Sequence, residues 1–269
     1  MPIPIFLVDA FTKTPFGGNP AGVCLLSSWP QDGWMQAVAA EVNASETAFA
    51  VPEGGNAYGL RWFTPVAEVP LCGHATLATS HVLLESGRAS DAEPIAFRTL
   101  SGELAAERSA VGIELDFPAI PVAECTAPDA LVSVLEGTPT FVGRTAPPRA
   151  GGEVNYLCEL PNEQAVRNLK PDVALLRRVP GHVIVTARGS GSYAVVSRFF
   201  APTIGLDEDP VTGLAHCSLA PYWAPRLGHT QFLAWQASAR GGEMTVTLRG
   251  DRVGLAGQAV TIWSGECHV

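Results

Sequence analysis

Two short stretches, one in each half of the chain, share a pattern that could deliver reactive side chains to a turn. Both open with Phe-x-Pro, at Phe63 and Phe200, and both place a reactive group nine positions later, at Cys72 and Asp209. Each continues into a run of mostly small and apolar residues. Thiols and carboxylates are groups that take up and release protons. The matched spacing predicts that the two stretches serve a common chemical task.

Each stretch also predicts a strand followed by a helix. The strand should end near Phe-x-Pro, because proline removes a ladder donor and biases its neighbour towards extended conformation. The helix should follow a glycine-bearing turn, with Gly73 in the first stretch and Gly213, flanked by Thr212 and Leu214, in the second. The first N–H groups of a helix have no partner within it and lie at the positive end of its dipole. Both turns are therefore candidate sites for a carboxylate or another anion.

Four further residues are candidates because of their type and place. Glu46 lies between a predicted helix and an apolar strand. A carboxylate beside a buried strand suits a general acid or base, although a glutamate at such a turn is also typical of a solvated surface. His74 lies at the predicted helix start, where an imidazole would touch a ligand. Gly18 and Asn19 belong to a glycine-rich loop that would border a ligand or form an ordinary hairpin turn.

The bulk composition limits the class of protein. The 269 residues are 47% hydrophobic and 16% charged, which is typical of a folded chain with a sizeable core. A formal net charge of −9 without a basic stripe argues against a nucleic-acid partner. No apolar run reaches the roughly 20 residues that a membrane span needs. The N-terminus lacks the features of a secretory signal, so we expect a cytoplasmic protein without membrane contact.

The sequence indicates neither a metal site nor a cofactor site. Its six histidines are scattered without metal-ligand spacing, and its six cysteines form no C-x-x-C pair, so we expect free thiols. Gly189-Ser190-Gly191 lacks the third glycine of a dinucleotide fingerprint. We therefore expect a protein that works without metal or cofactor.

Apolar periodicity places the main predicted helices. They lie at 32–42, with Asp32 as the N-cap, and at about 75–85 and 172–178. With 27 glycines and 22 prolines, most of the remaining chain predicts short strands joined by turns. The proline-rich segment 118–128 is the candidate linker between two halves.

Several segments, taken together and in order, resemble the phenazine-biosynthesis PhzF-like family. The resemblance covers essentially the whole chain and rests on Val8-Asp9-Ala10-Phe11, Gly18-Asn19-Pro20, Ser45-Glu46-Thr47-Ala48-Phe49, Phe63-Thr64-Pro65, Glu68-Val69-Pro70-Leu71-Cys72-Gly73-His74-Ala75-Thr76, Glu208-Asp209-Pro210-Val211-Thr212-Gly213, Tyr222-Trp223 and Arg240-Gly241-Gly242.

The resemblance implies an α+β fold of the diaminopimelate-epimerase type. In that fold two similar domains each wrap a barrel-like, strand-rich sheet round a central helix, with the active site in the cleft between them. The molecule is usually a homodimer. The last strand often returns to the first domain. We therefore expect an N-terminal lobe of residues 1–117 with 258–269, and a C-terminal lobe of residues 118–257.

The resemblance also implies roles for individual residues. Glu46 corresponds to the general acid/base, His74 and Asp209 to its partners in the pocket, and Gly73 to a backbone contact for the substrate carboxylate. The expected substrate-binding residues are Gly18, Asn19, Cys72, Gly73, Thr212, Gly213 and Leu214.

Two positions depart from related sequences. Family members commonly have serine directly after Thr-Gly, whereas this chain has Leu214, which removes a hydroxyl from the helix start. Cys72 occupies the place where related two-base epimerases keep a catalytic thiol. In a protein that uses Glu46, this thiol would be a relic.

These residues support three functional hypotheses. The first is an isomerase without metal or cofactor, in which Glu46 takes a proton from a carbon of a small carboxylate-bearing substrate and returns it elsewhere on the same face. The second is an epimerase with Cys72 and Asp209 as opposed bases. The third is a non-catalytic protein that binds small carboxylates or a partner protein.

Overall fold

A computed structural model describes residues 2–135, 137, 139–146 and 154–268 of the chain. The chain divides into two compact units, Met1–Phe117 with Gly254–Val269, and Pro118–Val253. The lobes expected from the sequence, 1–117 with 258–269 and 118–257, stay a prediction. Gly254 lies within the strand Arg252–Gly257, which pairs with the strand Gly112–Pro118.

The first unit begins with strands and two long helices. The strands are β1 Ile3–Ala10, β2 Asn19–Leu25, β3 Glu46–Gly54, β4 Ala57–Phe63, β5 Glu68–Val69, β6 Ile95–Thr99, β7 Gly102–Ser109 and β8 Gly112–Pro118. The helices are α1 Asp32–Val42 and α2 Gly73–Glu85.

The second unit has the same mixture of strands and helices. Its strands are β9 Val122–Glu124, β10 Phe141–Thr145, β11 Asn155–Glu159, β12 His182–Arg188, β13 Val195–Ala201, β14 Leu206–Asp209, β15 Gln231–Gln236 and β16 Gly242–Arg249. Its helices are α3 Asp129–Val134, α4 Glu163–Asn168, α5 Val173–Leu176 and α6 Gly213–Leu227, with a 3₁₀ turn at Pro202–Ile204. The chain ends with β17 Arg252–Gly257 and β18 Ala259–Cys267.

The two units repeat one order of strand pairing. In the first, β1–β2 is antiparallel, β2–β3 parallel, β3–β4 antiparallel, β4–β6 parallel and β6–β7 antiparallel. In the second, β10–β11, β11–β12, β12–β13, β13–β15 and β15–β16 follow the same sequence of directions. In each unit a short strand, β5 or β14, pairs antiparallel with the strand that ends at Phe-x-Pro. The sequence similarity between the halves thus reflects a repeated topology.

Each unit packs its strands against one long helix. Helix α2 contacts β1, β2, β3 and β18, and nine of its thirteen residues are buried. Its small residues permit this close packing, and the hydroxyls of Thr76, Thr79 and Ser80 bond to helix carbonyls instead of remaining unpaired. Helix α6 contacts β9 and β16, and Trp223 donates its indole N–H to Thr186 of β12 at 3.0 Å.

The loop that leads to each helix is closed by an arginine–glutamate pair. Arg61 on β4 makes two hydrogen bonds of 2.7 Å to Glu68, and its guanidinium lies 5.2 Å from the ring centre of Phe63. Arg198 on β13 binds Glu208 at 2.7 and 2.9 Å and lies 5.0 Å from the ring centre of Phe200. Such two-point ion pairs fix direction as well as distance, so both loops leave their strands in a defined way.

One sequence expectation about local structure is wrong. The N-cap of α1 is Gln31, and Asp32 is the first helical residue, with its carboxylate 2.8 Å from the Arg61 guanidinium. The candidate linker 118–128 begins where the second unit begins, and it contains β9, which pairs with β10. The helix expected near 172–178 is present as the shorter α5.

The cysteines match the expectation of free thiols, since all six are unbridged. Within the described residues, no helix has the length and apolarity that crossing a membrane would require.

The turn before β2 depends on Gly18. A methyl group there would lie 2.1 Å from the Ala10 carbonyl oxygen, and the residue has a φ of +62°. Gly18→Ala should therefore lower the free energy of unfolding by roughly 3 kcal/mol or more, measured by urea denaturation. Gly55→Ala is the matched control, because Gly55 has a φ of +57° but an open environment. Equal losses for the two variants would contradict the steric explanation.

Candidate functional site

Glu46 is the first residue of β3 and is buried. Parallel pairing with β2 places it beside Ala21, near the start of that strand. The residue is 9% exposed, which excludes the solvated surface role that is typical of glutamates at turns. The apolar run that follows Glu46 forms the buried part of β3, and Glu46 is therefore at the start of that strand.

Glu46 and His74 form a buried pair. The Oε2 atom of Glu46 lies 3.1 Å from Nε2 of His74, which is 5% exposed and is the second residue of α2. Oε2 nevertheless accepts no hydrogen bond from the described residues, although Nε2 is close. An oxygen in this state can accept a proton from a bound molecule.

Cys72 packs against the same imidazole. It is the N-cap of α2, and its sulfur lies 3.5 Å from Nδ1 and 3.9 Å from Nε2 of His74. Burial and the negative charge of Glu46 raise the pKa of the Cys72 thiol to about 11, although His74 opposes the shift. The thiol is therefore protonated at neutral pH and is not a ready base.

The pKa of His74 lies above its ordinary value. Burial favours the neutral ring, but Cys72 and Glu46 together outweigh burial and raise the pKa. Because the Cys72 thiol is protonated at neutral pH, the Glu46 carboxylate is the group that favours the imidazolium there. The ring is thus placed to exchange protons with Glu46.

Two polar residues support His74 from the other side. Asn19, the first residue of β2, is fully buried, and its side-chain nitrogen lies 3.2 Å from His74 Nδ1. The hydroxyl of Ser45 donates to the Asn19 side-chain oxygen at 3.1 Å. Sequence reasoning assigned Asn19 to substrate binding and gave Ser45 no role of its own. The adjacency of Ser45 to Glu46 was the signal that pointed to it.

Glu46, Cys72 and His74 are also close enough to hold a metal ion. One ligand atom from each lies within 4.8 Å of the others. Binding would require the Cys72 thiol to lose its proton, which its raised pKa opposes. The expectation of a metal-free site stays a prediction.

In the second unit, Asp209 ends β14 and is 6% exposed. The hydroxyl of Thr212 donates to its carboxylate through a short hydrogen bond. Thr212 is the N-cap of α6, but its hydroxyl does not cap the helix because it is committed to Asp209. The predicted partnership of Asp209 with Glu46 and His74 stays a prediction.

The equal spacing of Cys72 and Asp209 from their phenylalanines does not make them structural equivalents. Cys72 is the N-cap of its helix, whereas the N-cap in the second unit is Thr212. The 3₁₀ turn and β14 lengthen the second loop, so Asp209 precedes the helix by several residues. By position in the helix, the counterpart of His74 is Leu214.

Gln236 is a buried polar residue near Asp209 that sequence reasoning missed. It ends β15, is 1% exposed, and accepts a hydrogen bond from the Thr212 amide at 2.8 Å. Its side-chain nitrogen donates to the Asp209 carbonyl at 2.8 Å and to the Thr212 hydroxyl at 3.1 Å. The signal in the sequence was the position of this glutamine, because the alternation of buried and less buried residues along β15 puts it on the buried face.

The remaining predicted site residues lie at the two helix starts and in the β1–β2 turn. Gly73 and Gly213 are the first residues of α2 and α6, so each glycine-bearing turn opens a helix as predicted. Leu214 follows Gly213 and is 39% exposed, so an apolar side chain faces outward there. Gly18 shapes the turn before Asn19.

Comparison with known proteins gives consistent matches over the whole chain. The family model described as phenazine biosynthesis-like protein matches residues 8–265. An uncharacterized isomerase of Halalkalibacterium halodurans is 47% identical over 269 residues, covering 99% of this chain and 98% of that relative. The crystal structure of a PhzF-family phenazine biosynthesis protein from Enterococcus faecalis has a TM-score of 0.92 at 39% identity and covers 100% of both chains.

A more distant structure shares the fold alone. A hydroxyproline epimerase from Agrobacterium vitis, with bound trans-4-hydroxy-L-proline, has a TM-score of 0.66 at 14% identity and covers 98% of this chain and 92% of its own. The α+β fold of the epimerase type that the sequence predicts is confirmed.

His216 on α6 makes a testable contribution to acid sensitivity. Its Nδ1–H donates to the Thr212 carbonyl at 2.8 Å, and burial lowers its pKa from 6.5 to about 4. The unfolded chain therefore binds this proton first as the pH falls. The free energy of unfolding should drop by about 3 kcal/mol between pH 6.5 and pH 4 from this residue.

His216→Gln should remove that part of the pH dependence in urea unfolding measured at several pH values. His229→Gln, which alters an exposed histidine, is the matched control and should keep the wild-type slope. An unchanged slope in His216→Gln would show that the ring does not govern the acid response.

Proposed function

Since the chain belongs to the phenazine biosynthesis-like family, we propose that Glu46 is the general acid/base of a proton-transfer reaction that needs no cofactor. The chain is an isomerase, the class that close relatives carry in their names. The proposed substrate is a small carboxylate-bearing metabolite, and the change is a double-bond or keto/enol isomerisation.

The observation that carries this proposal is the buried Glu46–His74 contact. The two side chains lie 3.1 Å apart, and Glu46 Oε2 accepts no well-aligned hydrogen bond from the described residues. A carboxylate held in this way is positioned for proton transfer rather than committed to a structural bond. Exclusion of water strengthens the interaction of His74 and of the amides at the start of α2 with the negative charge that develops on the substrate.

The reaction can be written with groups from this site alone. Glu46 removes a proton from a carbon that a neighbouring carboxylate or double bond acidifies, and the electron pair of the C–H bond moves into the conjugated system. Glu46 then returns the proton to another carbon on the same face, so the substrate changes its bonding without gain or loss of atoms. His74 holds a polar group of the substrate or passes a proton to Glu46. The amides at the start of α2 bind the substrate carboxylate.

Removal of the Glu46 carboxylate tests the proposal. Small carboxylates that raise the melting temperature of the protein would first be identified by thermal shift and then incubated in heavy water. Glu46→Gln should incorporate solvent deuterium into the substrate about 10²- to 10⁴-fold more slowly than wild type, because the amide cannot take the proton. Glu53→Gln, on the same strand and paired with Arg98, is the matched control. Equal incorporation by Glu46→Gln and wild type would reject Glu46 as the base.

A second candidate function, a two-base epimerase, is favoured by one contact. Cys72 lies 3.5 Å from an imidazole nitrogen of His74, which is an arrangement that can take a proton from a thiol. In that mechanism Cys72 and Asp209 act as the two bases. The raised pKa of Cys72 argues against it, because little thiolate is present at neutral pH.

Substitution of Cys72 separates the two functions. Under the Glu46 mechanism, Cys72→Ala should slow deuterium incorporation by less than about tenfold, since only packing against His74 is lost. Cys24→Ala removes another buried thiol of the first unit and is the matched control for packing. Complete loss of exchange in Cys72→Ala alone would favour the epimerase.

A further inference from the structure

Asn19 is a fully buried amide placed between two other polar side chains. Its nitrogen lies 3.2 Å from His74 Nδ1, and its oxygen accepts the Ser45 hydroxyl at 3.1 Å. A buried amide is held in place by the partners of its oxygen and nitrogen, because leaving either unpaired is costly. Here the oxygen accepts the hydroxyl of Ser45, and the nitrogen faces the imidazole.

The direction of the amide decides where the proton of the neutral His74 ring lies. An amide nitrogen donates hydrogen bonds and does not accept them, so Nδ1 must be the unprotonated nitrogen. The single proton of the neutral ring is then on Nε2. That nitrogen is the one that lies 3.1 Å from Glu46 Oε2. A neutral ring with its proton on Nδ1 would place two donors against each other at Asn19.

We propose that Asn19, whose oxygen accepts the Ser45 hydroxyl, is a positioning residue that keeps the proton of neutral His74 on Nε2, the nitrogen that lies 3.1 Å from Glu46 Oε2. Asn19 itself need not touch the substrate. The catalytic importance of this tautomer rests on the proposed function, but the placement of the proton does not. The sequence-based role of Asn19 in substrate binding stays a prediction.

The neighbouring backbone holds Asn19 in place. It begins β2, which is the strand next to the one that Glu46 begins, and its Cα is paired with that of Ala10 on β1. The preceding residue, Gly18, leaves no room for a side chain against the Ala10 carbonyl. Asn19 is therefore fixed by its own strand, while His74 reaches it from the start of α2.

The charged ring would need a different arrangement. When His74 takes up a second proton, Nδ1 becomes a donor and needs an acceptor. The Asn19 nitrogen that faces Nδ1 in the structure is not an acceptor, so the observed arrangement fits the neutral ring. Glu46 and Cys72 also face the ring.

The placement can be read directly by ¹⁵N NMR of histidine-labelled protein. The His74 signals are assigned by their loss in His74→Gln, and the pH is raised until the ring is neutral. We expect wild type to show an unprotonated Nδ1 and a protonated Nε2. Protonation of Nδ1 in the neutral ring, or a ring that stays doubly protonated wherever the protein is folded, would overturn the proposal. This measurement needs neither a variant of Asn19 nor a substrate.

Variants at Asn19 test whether that residue causes the placement. Asn19→Asp replaces the donor by an acceptor of the same shape, and it should move the proton of the neutral ring to Nδ1 and raise the pH at which His74 titrates. Asn19→Ala should give a mixture of tautomers. Asn155→Asp, at another buried asparagine, is the matched control and should leave the His74 signals unchanged. A wild-type pattern in folded Asn19→Asp and Asn19→Ala would show that Asn19 does not set the tautomer.

Activity then separates this proposal from the proposed function. Asn19→Asp should slow deuterium incorporation on the order of 10- to 100-fold, the usual effect of losing a group that orients a working side chain. If wild type exchanges no substrate proton, the proposed function fails while the NMR result still decides the placement. If the tautomer changes in Asn19→Asp and exchange does not, the placement stands and its catalytic importance is rejected.

Discussion

The first unit is organised around a buried contact between a carboxylate and an imidazole. Removing Glu46 and His74 from water is costly, and each is tolerated inside the protein because the other lies 3.1 Å away. The contact requires the start of β3 and the start of α2 to lie side by side. Asn19 and Ser45 complete the polar set, so that a small group of side chains replaces the water that these two residues have lost.

The loops that lead to the two long helices depend on another repeated interaction. In both units an arginine two residues before the Phe-x-Pro phenylalanine binds a glutamate of the following short strand and lies over that phenylalanine. The guanidinium fork fixes the loop geometry at two points, and the aromatic ring shields its face. The repeat therefore preserves the frame of the loop while the side chains at the helix starts have diverged, with His74 in one unit and Leu214 in the other.

Much of the local structure was predictable from the sequence. Helix α1 follows from apolar periodicity, and the glycine starts of α2 and α6 follow from the turn chemistry before them. The motifs also indicated the fold and the candidate residues Glu46 and His74. The role of Gln236 was not predictable, because a strand pattern shows that a glutamine is buried but not which partners it meets.

What the sequence by itself determined is the set of chemical groups and the elements that carry them, since residue type, periodicity and glycine or proline positions act locally. The tertiary structure decided how those groups combine. It showed that Thr212, rather than Asp209, is the counterpart of Cys72, because an inserted turn shifts the helix start. It also brought Asn19 to His74, 55 residues further along the chain. A hydrogen bond depends on separations of a few ångströms in space, and only packing of the sheet against the helix sets them.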